Sequence, residues 1–229
     1  MGIFFLLILS VFGQAPVFDA VSIHPSAPDA SGSKVARSGR RIDIENSSLR
    51  EIIAFAYGIP TGRDYQLIGP DWLDIARFDI TATYPSDTSR DRVPEMLQTM
   101  LIDRFGLKTH NENRKLESYV LTVGRRGPKL QPDTAGAEGA FIWGEDRLTA
   151  RAITMAGLAN RLSGPTFKLG RPVVDMTGIQ GDYDFTVKWG EDTSMFTALQ
   201  EQLDLRLQAG KAEFPVVVVD HVEKIPTAN

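Results

Sequence analysis

The chain has 229 residues, 42% of them hydrophobic, enough to bury a sizeable core as one larger domain or two small ones packed together. A formal net charge of -4, a pI near 5.4 and Lys/Arg residues scattered apart from two short loop clusters give no basic field for neutralising phosphates, so nucleic acid is excluded as an expected partner. With no cysteine, a disulfide framework, a thiolate zinc site and a thiol nucleophile are all excluded.

In chain order, Met1 to Ala15 carries an apolar run from Ile3 to Val11 and then Gly13 and Ala15 at the spacing of a signal-peptidase site. It is expected to be a signal peptide or an uncleaved N-terminal anchor, and in the second case it is the only expected membrane attachment. Val17 to Ile23 alternates as a short strand, and the Pro-, Ser- and Gly-containing stretch from Pro25 to Arg41 is expected to be a loop. Ile42 to Ile44 is a brief strand. Ser48 and Glu51 form a capping box ahead of a helix whose apolar stripe is Leu49, Ile52, Ile53 and Ala56. Strands are expected at Tyr65 to Ile68 and at Phe78 to Tyr84, where apolar and polar residues alternate. A second helix follows from Val93 to Phe105, stopped by Gly106, and then a hairpin of Leu107 to Asn111 and Ser118 to Val123.

Residues 124–146, rich in Gly, Ala, Pro and charge, are expected to link two repeats, 16–123 with its leading strand and 147–229. After the linker the order begins again. Met155, Leu158 and Leu162 take the places of Leu49, Ile52 and Ala56, and Tyr183-Asp184-Phe185-Thr186 lies opposite Phe78-Asp79-Ile80-Thr81, about 105 residues apart. Phe196 to Leu203 matches the second helix. Leu205 to Gln208 and Pro215 to Asp220 form a second expected hairpin, with Val216 to Val219 suited to a strand buried on both faces. The fold class is therefore α+β: two tandem βαββαββ repeats with helices packed on small mixed sheets.

Several motifs taken together resemble a known family. They are Phe18-Asp19-Ala20-Val21-Ser22-Ile23-His24-Pro25-Ser26, Asp103-Arg104-Phe105, Gly127-Pro128-Lys129-Leu130, Gly170-Arg171-Pro172-Val173-Val174-Asp175 with Thr177-Gly178, Gly181-Asp182-Tyr183-Asp184-Phe185, and Asp220-His221-Val222-Glu223-Lys224. The set resembles soil-associated exported bacterial proteins classed as a domain of unknown function. That resemblance implies an extracytoplasmic sensing or binding role and carries no activity to transfer. The closing Ile225-Pro226-Thr227-Ala228-Asn229 departs from the Pro-Ser/Thr-Glu-Asn ending of that family. The repeat order is also similar to the short signalling domains at the N-termini of secretins and TonB-dependent receptors, which bind protein partners; a shared fold order does not fix function.

Chemistry-bearing clusters are sparse. His24, His110 and His221 lack metal-site spacing, and no serine sits in an elbow context beside Asp220-His221. Asp175-Met176-Thr177-Gly178 departs from an aspartic-protease Asp-Thr-Gly by the inserted Met176, and Asp175, Asp182 and Asp184 do not space as an EF-hand. No catalytic residue, metal or cofactor is expected. The candidate binding residues are Trp72, Arg171, Asp175, Thr177 and Trp189, with the aromatics as anchors, Arg171 as their polar companion and the Asp175 turn as the feature that distinguishes the second repeat. The expected function is an exported, non-enzymatic module, periplasmic or at the cell surface, that binds a protein or peptide partner. The alternative is a carboxylate-dependent hydrolase acting on peptide or glycan.

Overall fold

The computed structural model describes residues 15–134, 136, 138–167, 169–190 and 193–227. The expected signal or anchor therefore lies, but for Ala15, outside the described residues. No helix among them is long and apolar enough to cross a membrane.

The fold is mixed α+β. In chain order its elements are β1 (Ala20–Pro25), β2 (Lys34–Ser38), β3 (Arg41–Ser48), α1 (Leu49–Ala56), β4 (Leu67–Ile68), β5 (Arg77–Thr83), α2 (Val93–Phe105) and β6 (Lys108–Val123). Then follow β7 (Gln131–Pro132), β8 (Ala140–Trp143), β9 (Arg147–Ile153), α3 (Met155–Leu162), β10 (Val173–Asp175), β11 (Tyr183–Lys188), α4 (Met195–Leu203) and β12 (Leu205–His221). Three four-stranded sheets result, in the orders β1-β5-β3-β2, β10-β6-β12-β4 and β7-β11-β9-β8.

The chain divides into two compact units. Unit 1 comprises the described residues of Met1–Ile59, Gly69–His110 and Val219–Asn229; unit 2 comprises those of Pro60–Ile68 and Asn111–Val218. In unit 1, Ile42, Ile44, Phe78 and Ile80 project from the first sheet into a core completed by Leu49, Ile52 and Ile53 of α1 and by Met96, Leu97, Leu101 and Phe105 of α2. Phe78 and Phe105 meet edge to face at 5.1 Å. In unit 2 the core joins Leu148, Ala150, Phe185 and Val187 of the third sheet to Met155, Leu158 and Leu162 of α3, Ala198, Leu199 and Leu203 of α4, and Leu121 and Leu205.

The helices begin as their sequences dictate. The Ser48 side chain accepts the Glu51 N–H while the Glu51 carboxylate accepts the Ser48 N–H, closing the expected capping box, and Thr154 caps α3 through the Gly157 N–H. Ser48→Ala should lower unit 1 stability by about 1 kcal/mol in chemical denaturation, since one first-turn N–H loses its acceptor.

Four local expectations need correction. The stretch expected as a loop up to Arg41 contains β2, an edge strand in register with β3 from Lys34 opposite Glu45 to Ser38 opposite Arg41. Its residues are exposed except for half-buried Ala36, so no apolar period marks it. Residues 124–146, expected as a linker, contribute β7 and β8. Each expected hairpin is instead one long strand. The polar run Asn111 to Glu117 is the solvated part of β6, its residues alternating between half-buried and exposed. Gly210, between the two expected arms of the second hairpin, lies inside β12, where a Cβ would come within 2.7 Å of the Val120 side chain. The element order is accordingly βββαββαβ from β1 to β6 and βββαββαβ from β7 to β12, where βαββαββ is expected.

One device occurs twice. Asn46 and Ala152, each at the end of a strand, have positive φ of 45° and 46°. Asp79 Oδ1 accepts the Asn46 N–H at 2.7 Å and Asp184 Oδ1 accepts the Ala152 N–H at 2.8 Å. In both sheets the pairing register slips beside this residue, so each carboxylate caps a bulge whose N–H has no ladder partner.

Candidate functional site

The five sequence-selected residues fall in three settings. Trp72 sits in a short turn of unit 1, half-buried, with the Lys224 ammonium 5.3 Å from its ring centroid. Asp175 and Thr177 close the turn after β10. Asp175 Oδ1 accepts from the Thr177 N–H and hydroxyl at 2.9 and 2.7 Å, and Thr177 Oγ1 accepts the Ile179 N–H. This is the chemistry of a structural Asx turn.

Arg171 is exposed just before β10, over the Tyr119 ring at 5.9 Å and 3.8 Å from the Glu117 carboxylate. Glu117 is also salt-bridged by Lys211 at 2.7 Å, and these cations, Lys211 first, hold its carboxyl below the usual range. Arg171 lines a recess of about 290 Å³ with Asp64, Tyr65 and Ser163. Burial pushes the Tyr65 phenol up. The Ser163 hydroxyl donates to the Ala159 carbonyl and accepts the Val173 N–H, which commits it to capping α3.

Trp189 directly follows β11 in unit 2, and its ring neighbour is Trp143 of β8, at 5.0 Å between centroids. Trp143 in turn meets Phe167 edge to face at 4.4 Å. Two residues before Trp143 in β8, the Phe141 ring lies 5.7 Å from the Arg161 guanidinium of α3. β8 is the terminal strand of its sheet, paired to β9 from Ala140 opposite Arg151 to Trp143 opposite Leu148. Its outer edge is unpaired among the described residues. Phe141 and Trp143 stand opposite the buried Ala150 and Leu148, on the core side, where the other aromatics support them. Even so, Trp143 remains 39% exposed and Ile142 55% exposed. A strand edge unpaired among the described residues and backed by aromatic rings is a surface to which a further strand can add.

Trp143, Phe167 and β8 were missed in the sequence because the composition of residues 124–146 is that of a loop. The signal was the four-residue apolar run Ala140-Phe141-Ile142-Trp143 within it. Tyr84, at the end of the strand expected from Phe78, is buried and its hydroxyl donates to the Gly39 carbonyl at 2.9 Å.

The histidines are tied locally. His24 pairs with the Ser22 hydroxyl at 2.8 Å, His110 lies 2.9 Å from both oxygens of Asp220, and His221 lies 3.0 Å from Glu223. Among the described residues no three His, Asp or Glu side chains gather as a metal site. In unit 1, Asp43 is held below the carboxylate range chiefly by its hydrogen bond from Arg41, a surface pair on the open face of the first sheet.

Fold and surface together define a mixed α+β protein with small sheets, one of which offers an aromatic-backed edge. A family model described as a protein of unknown function, DUF3738, matches residues 50–222, and the chain belongs to that family. No curated protein and no solved structure matches the chain.

Proposed function

We propose that the protein is an exported, non-enzymatic binding module of the cell envelope that takes an extended peptide segment of a partner protein onto the free edge of β8. The observation that carries this reading is the exposed Ile142–Trp143 pair on a terminal strand, with Phe167 and Trp189 behind it. An added strand gains main-chain hydrogen bonds from every second residue of β8 and an aromatic floor for alternate side chains. Export rests on the apolar run Ile3 to Val11 within Met1 to Ala15. The hydrolase alternative draws no support from Asp175 and Asp184, each of which spends an oxygen on a backbone N–H.

We also propose that the chain is a tandem duplication of a βββαββαβ unit. Supporting this, the sheet orders β1-β5-β3-β2 and β7-β11-β9-β8 correspond strand for strand, and the Asp-capped bulge recurs at the same place in each.

The test is a panel of extended eight-residue peptides titrated against the protein with hydrogen exchange as a second readout. Binding should protect the amides of Ala140 to Trp143. Trp143→Ala should weaken binding by about tenfold or more, the loss of roughly 1.5–2 kcal/mol typical of an interface aromatic. Protection elsewhere, with β8 unchanged, would remove the reading.

A further inference from the structure

We infer that the β8 edge selects acidic peptides, reading a carboxylate beside Phe141 and an apolar side chain beside Trp143, two residues apart on one face of the added strand. This inference rests on the proposed strand addition and specifies its ligand.

The argument starts from the period of a strand. Phe141 and Trp143 face the same side of the sheet, so a strand laid along β8 presents side chains i and i+2 to them. The two positions differ chemically. At Trp143 the surroundings are Phe167 and Trp189, an apolar floor. At Phe141 the neighbour is the exposed Arg161 guanidinium, held against the ring and with no ion pair among the described residues. A guanidinium positioned by a ring face has lost part of its rotamer freedom already, so a carboxylate placed beside it gains a charge-assisted hydrogen bond at reduced entropic cost.

The opposite face of the same end adds a second cation. Arg151 stands directly across from Ala140, and the alanine methyl leaves its long side chain room to reach over β8 toward the added strand. Arg151 is exposed and also without an ion pair among the described residues. Glu138 lies before this end of β8, and the turn at the other end carries Glu145 and Asp146 before Arg147. That distribution favours the acidic residue at the Phe141 end and disfavours it at the turn end. A second copy of the chain fits less well, because β8 itself contains no carboxylate to offer Arg161.

The experiment uses fluorescein-labelled eight-residue peptides and the whole exported chain, read by anisotropy at low and at 0.5 M salt. The reference peptide carries glutamate at i and leucine at i+2 in a Thr- and Val-rich extended frame. Its partners replace the glutamate by glutamine or lysine, move it to i+1, or N-methylate alternate backbone amides. The expected result is about fivefold weaker binding for glutamine, the size of one exposed but ordered ion pair, and a larger loss for lysine. Arg161→Gln should abolish the glutamate-over-glutamine preference while leaving the glutamine peptide's affinity within twofold, and high salt should do the same.

If glutamate, glutamine and lysine peptides bind alike, the acidic preference is overturned and strand addition survives. If the N-methylated peptide binds as well as its parent, or no peptide binds, strand addition itself falls and the preference with it. If sedimentation shows a dimer that Ile142→Lys dissociates, the edge belongs to a second copy and the peptide inference is overturned.

Discussion

Asp204→Ala is expected to lower the stability of unit 2 by about 2–4 kcal/mol. Asp204 ends α4 in the left-handed region at φ 51° and is only 2% exposed. Its Oδ2 accepts the Arg126 N–H at 2.7 Å, and its carbonyl accepts the Gly124 N–H at 2.6 Å. Removing the carboxylate forfeits a charge-assisted hydrogen bond and strands a buried N–H, about 1.5–3 kcal/mol, while alanine tolerates a left-handed φ less well than aspartate does, by roughly 1 kcal/mol. Two further variants separate the terms. Asp204→Asn keeps an acceptor and the left-handed preference and should lose least, and Asp204→Gly relieves the backbone and should fall between. Gly124→Ala should be as damaging as Asp204→Ala, since its Cβ would sit within 3 Å of all three Asp204 carboxyl atoms. Urea unfolding curves with matched slopes measure each variant. Equal stability of Asp204→Ala and the parent would show that this turn is not what joins α4 to the residues after β6.

Asp79→Ala should cost unit 1 about 2–3 kcal/mol and Asp184→Ala should cost unit 2 somewhat less. Asp79 Oδ1 accepts both the Asn46 N–H at 2.7 Å and the Ser26 hydroxyl at 2.8 Å, whereas Asp184 Oδ1 accepts the Ala152 N–H alone among the described residues. In each case the bulge N–H has no ladder partner, so deleting the carboxylate leaves it unsatisfied. The residue that donates also differs. Asn46 suits a positive φ and adds its own bond to the Gly32 carbonyl at 2.6 Å, while Ala152 takes the same φ with no side-chain compensation. Ala152→Gly should therefore be neutral or stabilising by up to about 1 kcal/mol, and Asn46→Ala should be destabilising. Thermal unfolding followed by circular dichroism distinguishes them, and a destabilised Ala152→Gly would contradict the strained-bulge account.

The same two aspartates show how far the chain could be read before its fold was known. Their alignment was visible as Phe78-Asp79-Ile80-Thr81 against Tyr183-Asp184-Phe185-Thr186, because the alternation of a half-buried strand is a local property. Their task was not visible, since it depends on which amide the bulge leaves unpaired on a strand more than thirty residues away. Of the candidate site, Trp189 was legible as an aromatic at a strand end, and the Asp175 turn as turn chemistry. Arg171 was expected to accompany the tryptophans, yet its aromatic neighbour is Tyr119. Trp143 was passed over because a four-residue edge strand inside a glycine- and charge-rich stretch has no period long enough to stand out.

The sequence by itself determined the α+β class, the four helices, the capping box that opens the first and the glycine that stops the second, because helix stripes, capping residues and strand alternation are set by neighbours within a few positions. Only the tertiary structure decided that the supposed hairpins are single strands, that a supposed linker supplies a sheet edge, and which aromatics gather there. Those outcomes depend on pairing between segments far apart in the chain: a polar run reads as a turn until a partner strand takes up its backbone, and an edge is an edge only once the sheet around it is complete.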